Sequence, residues 1–253
     1  MRLLILGGSS EASGLAKALA ADTRFEALLS LAGRTSAPRS QPIPVRTGGF
    51  GGAEGLAHFL RDENIDLLID ATHPFAARMS CNAIAAAAET GVPFIAVERP
   101  PWMRGEDDLW VEVPDVPCAV AALGPAPRIV FSAIGSLLLR DFEAAPQHRY
   151  VVRLIDRPAR LPDLPRLTLI QAQGPFTAAG DAGLFREHGV DVVIAKNSGG
   201  GATVSKIEAA RMLHLPVMMV SRPSIPARPR AATVEDALTW LDTHYRRSME
   251  RGV

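Results

Sequence analysis

The chain has two cysteines in 253 residues, Cys81 and Cys118, so no disulfide framework is expected, and no C-x-x-C spacing occurs. Its six histidines are scattered without H-x-H or H-x-x-x-H spacing, and no protein-bound metal is expected. Charge of either sign is not in excess: 27 Lys and Arg balance 27 Asp and Glu. That balance disfavours nucleic acid or an acidic membrane surface as a partner. No apolar run is long enough to span a bilayer, and the first one is too short for a signal peptide. What remains is a chain 47% hydrophobic and 21% charged, the composition of a globular protein with a substantial core. Its length suits one large or two small domains, and a cytoplasmic location is the default expectation.

The most informative stretch is Leu3 to Leu19. Leu3 to Leu6 read as a strand, Gly7-Gly8 as a tight turn, and Leu15, Ala16 and Leu19 as one face of a helix. Glycines let a backbone approach a phosphate, and the helix start directs N–H groups and its positive dipole end at an anion. The spacing is not G-x-G-x-x-G, and an ordinary βα turn is the alternative. A second strand, Phe25 to Leu31, ends in Ala32-Gly33-Arg34-Thr35-Ser36, where a dinucleotide fold meets the adenine ribose. Arg34 among hydroxyls suits a 2′-phosphate, whereas NAD-preferring sites place an acid there. After Pro38, Pro42 and Pro44, Val45-Arg46-Thr47-Gly48-Gly49-Phe50-Gly51-Gly52 reads as a flexible loop before a helix. It is either a ligand cover or a long turn.

Asp66 to Asp70 reads as a buried strand, with Thr72 and His73 at its carboxyl end and Pro74 starting the next helix. Ligands of open α/β sheets bind at such ends, so Thr72 and His73 are site candidates, with a capping role for His73 as the alternative. Gly124-Pro-Ala-Pro127 is the expected domain boundary, giving domains 1–127 and 128–253. The second half repeats the strand–helix alternation, including a helix opened by Gly135-Ser136. Each half is therefore expected to form a mostly parallel sheet with helices on its faces. In it, Lys196-Asn197-Ser198-Gly199-Gly200-Gly201-Ala202-Thr203 joins a strand to a helix carrying Lys206. This is a second anion-friendly helix start but not a Walker motif. Arg153, Arg157, Arg211 and Arg222 are further candidate cations, with solvated surface charge the alternative reading.

Taken together, Ile5-Leu-Gly-Gly-Ser-Ser-Glu-Ala12, Ala32-Gly33-Arg34, Gly48-Gly-Phe-Gly-Gly52, Asp70-Ala-Thr-His-Pro-Phe-Ala76, Gly174-Pro-Phe176, Lys196-Asn-Ser-Gly-Gly200 with Thr203 and Lys206, and Val220-Ser-Arg-Pro223 run in order over nearly the whole chain. In this the sequence resembles the precorrin-6A reductases, NADPH-dependent enzymes of cobalamin biosynthesis. The resemblance implies two Rossmann-like domains with the active site in the cleft between them, and reduction of a ring carbon–carbon double bond of precorrin-6A to give precorrin-6B. It implies a cofactor site of Gly7, Gly8, Ser9, Ser10, Glu11, Gly33, Arg34, Thr72, His73 and Pro74. It also implies a tetrapyrrole site of Lys196, Asn197, Ser198, Gly199, Gly200, Thr203, Lys206 and Arg222. Lys196 and His73 are candidate proton donors, with water or a substrate group an equal alternative. Neighbouring enzymes of the corrin pathway are conceivable partners. Gln173 and Ser136 stand where the family often has arginine, and each removes a partner for a substrate carboxylate. Other readings are the cobalt-precorrin-6A version of the reaction, a different NADP-dependent reductase, and a non-catalytic nucleotide-sensing module.

Overall fold

The computed structural model describes residues 1–33 and 40–251. In chain order the strands are β1 (Arg2–Leu6), β2 (Glu26–Leu31), β3 (Val45–Thr47), β4 (Leu67–Asp70), β5 (Phe94–Val97), β6 (Trp110–Val113), β7 (Ile129–Ser132), β8 (Arg149–Leu154), β9 (Leu167–Gln171), β10 (Val192–Lys196), β11 (Val217–Val220) and β12 (Arg230–Ala231). The α-helices are α1 (Ser10–Leu19), α2 (Ala53–Asp62), α3 (Ala77–Thr90), α4 (Val116–Ala122), α5 (Ala178–His188), α6 (Ser205–Met212) and α7 (Val234–Arg251). A 3-10 helix spans Ser136–Ala144.

The chain divides into two units, Met1–Pro100 with Pro223–Val253, and Pro101–Arg222. In the first unit the strands lie in the order β3-β2-β1-β4-β5-β12, and every pair is parallel. This is the strand order of dinucleotide-binding folds. Alternation along β1 explains the two apolar layers. Leu3 and Ile5 pack with Leu15 and Leu19 of α1 and with Ala237 and Leu241 of α7. Leu4 and Leu6 pack with Leu56 and Leu60 of α2 and Ala83 and Ala86 of α3. A strand buried on both faces reads as a continuous apolar run, which is why β1 and β4 stand out in the sequence.

The second unit repeats the order as β9-β8-β7-β10-β11-β6, again all parallel. Phe131, Val151 and Val193 face Ala182 and Phe185 of α5 and Ile207 of α6. On Tyr150, the ring stacks on Phe142 of the 3-10 helix, with centroids 4.5 Å apart.

Four details differ from the sequence reading. The division does not fall at 127/128, because β6 pairs with β11 and α7 packs against β1 and α1. The helix expected to start at Pro74 starts at Ala77, because a turn accepts two N–H groups first: Phe75 donates to His73 Nδ1 and Ala76 to the His73 carbonyl. The helix after Gly135 is 3-10, and its buried Leu139 and Phe142 stand three residues apart, the repeat of that helix. Val45–Thr47 is an edge strand rather than part of a loop. Arg34, Thr35 and Ser36 lie outside the described residues.

Candidate functional sites

Open parallel sheets bind ligands at the carboxyl ends of the strands where the strand order reverses. In the first unit that point lies between β1 and β4. Gly7 follows β1 directly, and its N–H donates to the Ser30 carbonyl of β2 (2.8 Å), which holds the turn against the sheet. Gly8 has φ +119°, and no heavy atom lies within 4 Å of where a Cβ would stand. Only glycine adopts that backbone without strain, and it leaves open space in front of α1. Ser9 is the N-cap: its Oγ accepts the Ala12 N–H (3.1 Å) and donates to the Ala71 carbonyl after β4 (2.7 Å). One hydroxyl thus ties the helix start to the neighbouring strand end.

Across the turn, buried Asp70 accepts the Thr72 N–H (3.0 Å) and hydroxyl (2.7 Å) through one carboxylate oxygen. His73 accepts the Phe75 N–H through Nδ1 at 3.2 Å, which leaves Nε2 as the donor side of a neutral ring. Pro74 lies inside this turn, and Gly33 sits just past β2 beside Thr47. The Ser10 hydroxyl donates to Glu11, whose carboxylate pairs with Arg99 at 2.5 Å. Burial pushes the Glu11 carboxyl up, but its own backbone N–H, Arg99, and the Ser10 and Ser9 hydroxyls together hold it below the ordinary value.

Arg46 organises the glycine loop that follows β3. Its guanidinium donates to Ser30 Oγ (2.7 Å), the Gly48 carbonyl (3.1 Å) and the Gly49 carbonyl (3.3 Å), and lies 4.0 Å from the Phe50 ring centroid.

In the second unit the reversal lies between β7 and β10. Lys196, the last residue of β10, reaches over it: Nζ donates to the Ile134 carbonyl after β7 (2.9 Å). The loop beyond is held from several sides. Asn197 pairs with the Trp102 backbone through both ends of its amide (2.8 and 3.0 Å), and Trp102 Nε1 donates to the Gly200 carbonyl (2.8 Å). Arg222 donates to the carbonyls of Asn197 and Ser198 (3.0 and 3.1 Å), and Ser198 and Thr203 share a hydroxyl–hydroxyl contact. Gly199 and Gly200 both have positive φ, +68° and +71°, which the sharp reversal of this loop requires.

Several candidate cations are engaged within this unit. Lys206 is buried, with Nζ on the Thr203 carbonyl and 4.9 Å from the Trp102 ring, so it braces the loop from behind. Arg153 is buried on Asp181, which also accepts the Ser205 hydroxyl (2.7 Å), and Phe176 covers the guanidinium at 3.6 Å. Phe176 of the Gly174-Pro-Phe176 stretch is therefore packed onto an internal ion pair. Arg211 pairs with buried Asp108. Among these residues, Trp102, Asp181, Arg99 and Arg46 carry site geometry that sequence reading missed. Trp102 follows two prolines that signal only a break in regular structure, Asp181 and Arg99 are single charges whose partners are distant in sequence, and Arg46 is a lone charge in a glycine loop whose carbonyl partners, Gly48 and Gly49, form no recognisable pattern.

Among the described residues, no group of three His, Cys, Asp or Glu could hold a metal ion, and no helix is long and apolar enough to cross a membrane.

The model of the family described as Precorrin-6x reductase CbiJ/CobK matches residues 2–242. The chain is 53% identical over 243 residues to a precorrin-6A reductase of Rhodobacter capsulatus, covering 96% of each. It is 30% identical over 248 residues to a cobalt-precorrin-6A reductase of Priestia megaterium, covering 93% of this chain and 96% of that one. A solved structure named CobK precorrin-6A reductase superposes with a TM-score of 0.92 at 53% identity, over 96% of this chain and 97% of that one.

Proposed function

The chain belongs to the precorrin-6x reductase family, and from that premise we propose that it reduces a ring double bond of precorrin-6A to precorrin-6B at the expense of NADPH. The observation that carries the cofactor half of this reading is the first switch point. There the side-chain-free Gly8 opens onto the N-terminus of a ten-residue α-helix. That cradle fits a pyrophosphate, because N–H groups and the helix dipole converge on it and Gly8 puts no side chain into it. Gly7, Gly8, Ser9 and Ser10 are the residues that would hold it, with Thr72, His73 and Pro74 lining the adjacent strand end. Arg34 is proposed to select the 2′-phosphate.

When bound, NADPH supplies the hydride to one carbon of the reduced bond, and a proton goes to the other. The protein's part is placement and charge. The second unit is proposed to hold the tetrapyrrole, whose carboxylates suit Lys196 and the N–H groups of Gly199 and Gly200. Asn197, Thr203, Lys206 and Arg222 act there by fixing the loop. Lys196, at the second switch point, and His73, at the first, are the candidate proton donors; His73 would serve only as the imidazolium, in which Nδ1 no longer accepts the Phe75 N–H.

The greater identity to relatives named for metal-free precorrin-6A favours that substrate over the cobalt form. The test is anaerobic NADPH oxidation with each tetrapyrrole. Turnover with precorrin-6A at the higher kcat/KM is expected. A preference for the cobalt form would overturn the choice of substrate, and NADPH binding without turnover of either would overturn the enzyme reading. Arg34→Ala should weaken NADPH binding about 10- to 150-fold, the loss of a charge-assisted phosphate contact, while NADH binding holds. An unchanged ratio of the two affinities would remove Arg34 from the site.

A further inference from the structure

Helix α1 already holds an anion of its own. Glu11 stands in its first turn, and its carboxylate takes the Ser10 hydroxyl at 3.0 Å and Arg99 at 2.5 Å. The pair is mostly withdrawn from water, with side-chain exposures of 16% for Glu11 and 12% for Arg99. Arg99 cannot easily follow a departing partner, because the backbone before it is fastened. Glu98 N–H donates to the Ala231 carbonyl of β12 (2.9 Å), and the Glu98 carboxylate pairs with half-buried Arg228 at 2.6 Å. A carboxylate here draws on the same helix dipole and the same hydroxyls that a phosphate ligand would use.

We propose that Glu11 is a built-in competitor for the anion seat of α1, and that Arg99 neutralises it so that a pyrophosphate-bearing cofactor can be held beside it. The pair then sets cofactor affinity without touching the reacting atoms, and both members are positioning residues. This inference rests on the reading of the first unit as the NADPH site.

The low position of the Glu11 titration means the competitor is fully charged at neutral pH. A unit charge at roughly 8 Å from a phosphate changes affinity by about 3- to 30-fold between the dielectric limits of bulk water and a protein surface. Glu11→Gln keeps the shape and removes the charge, so NADPH should bind tighter by that factor, and the gain should shrink in high salt. Arg99→Ala leaves the Glu11 charge uncompensated and should weaken NADPH binding about 10-fold or more. The double variant should recover most of that loss.

The measurement is the NADPH Kd by fluorescence titration of the full chain, with thermal melting of each variant alongside. A merely helix-stabilising Glu11 would lower the melting temperature and leave Kd unchanged, which overturns the proposal. So does a double variant as weak as Arg99→Ala alone. Gly8→Val separates the two levels: if it binds NADPH like the wild type, the cofactor reading of the first unit fails, and this inference with it. If Gly8→Val loses NADPH while Glu11→Gln leaves it unchanged, the reading stands and only this inference falls.

Discussion

The two units share one strand order and treat its reversal point differently. In the first, a hydroxyl bridges it: Ser9 Oγ reaches the Ala71 carbonyl at 2.7 Å, and a regular α-helix starts there. In the second, an ammonium bridges it: Lys196 Nζ reaches the Ile134 carbonyl at 2.9 Å, and a 3-10 helix without a side-chain cap follows. The sheet decides where a ligand can sit, and the few residues at the strand ends decide what charge it meets. A neutral cradle with a helix dipole suits an anion brought in by a cofactor, whereas a fixed cation beside a glycine loop suits carboxylates of a larger substrate.

The contrast breaks most severely at Asp181. Removing it strands Arg153 in the interior of the second unit, so Asp181→Ala should cost about 3–5 kcal/mol in urea unfolding. Asp70→Ala in the first unit, which loses hydrogen bonds but no ion pair, should cost about 1–3 kcal/mol. Equal losses would mean that Arg153 finds another partner. Next in size is Gly8→Val, expected to weaken NADPH at least ~100-fold, or about 2.7 kcal/mol. The positive φ adds about 1–3 kcal/mol of strain to the fold. Gly200→Val carries similar strain but should raise KM for precorrin-6A with NADPH Kd within about twofold; a reversed pattern would exchange the roles proposed for the two units.

Lys196→Ala sharpens the same comparison. It should raise KM for the tetrapyrrole about 10-fold, an effect near 1.4 kcal/mol that added salt diminishes in the parent enzyme. A fall in kcat with KM intact would assign Lys196 to proton donation instead. The smallest effect is a pH dependence confined to the second unit. His148 is fully buried, and burial, then the nearby Arg128 and Arg166 charges, hold its pKa below the ordinary 6.5, against the opposing pull of the Gly124 carbonyl. The unfolded chain therefore takes up this proton first. Stability should be constant above about pH 6.5, fall as pH drops below it, and level off once the folded ring protonates. His148→Asn, which can still accept the Arg128 N–H, should flatten that slope in unfolding titrations.

Much of this arrangement was legible in the sequence. Short apolar runs buried on both faces, each followed within four residues by glycine or proline, mark β1, β4, β7 and β10, and with them the positions of Gly8, Thr72 and Lys196. The sequence was silent where a contact joins residues far apart in the chain. Lys206 and Arg222 look like free cations beside a glycine loop, yet both spend their donors on that loop's own carbonyls. Trp102 and Asn197 meet across 95 positions, and no local pattern announces such a pairing. The two-residue β12 was invisible for another reason: Arg230 and Ala231 have no periodicity to read, and only pairing with β5 makes them a strand.

That short strand also orders events during synthesis. The second unit is one uninterrupted stretch, Pro101–Arg222, whereas the first needs β12 and α7 from the far end of the chain. On a ribosome, the later-numbered unit has all its strands in hand while the earlier one still waits for its last edge and the helix that covers Leu3 and Ile5. The N-terminal sheet is thus the last to close, and its exposed apolar layer is the part of the nascent protein most in need of protection.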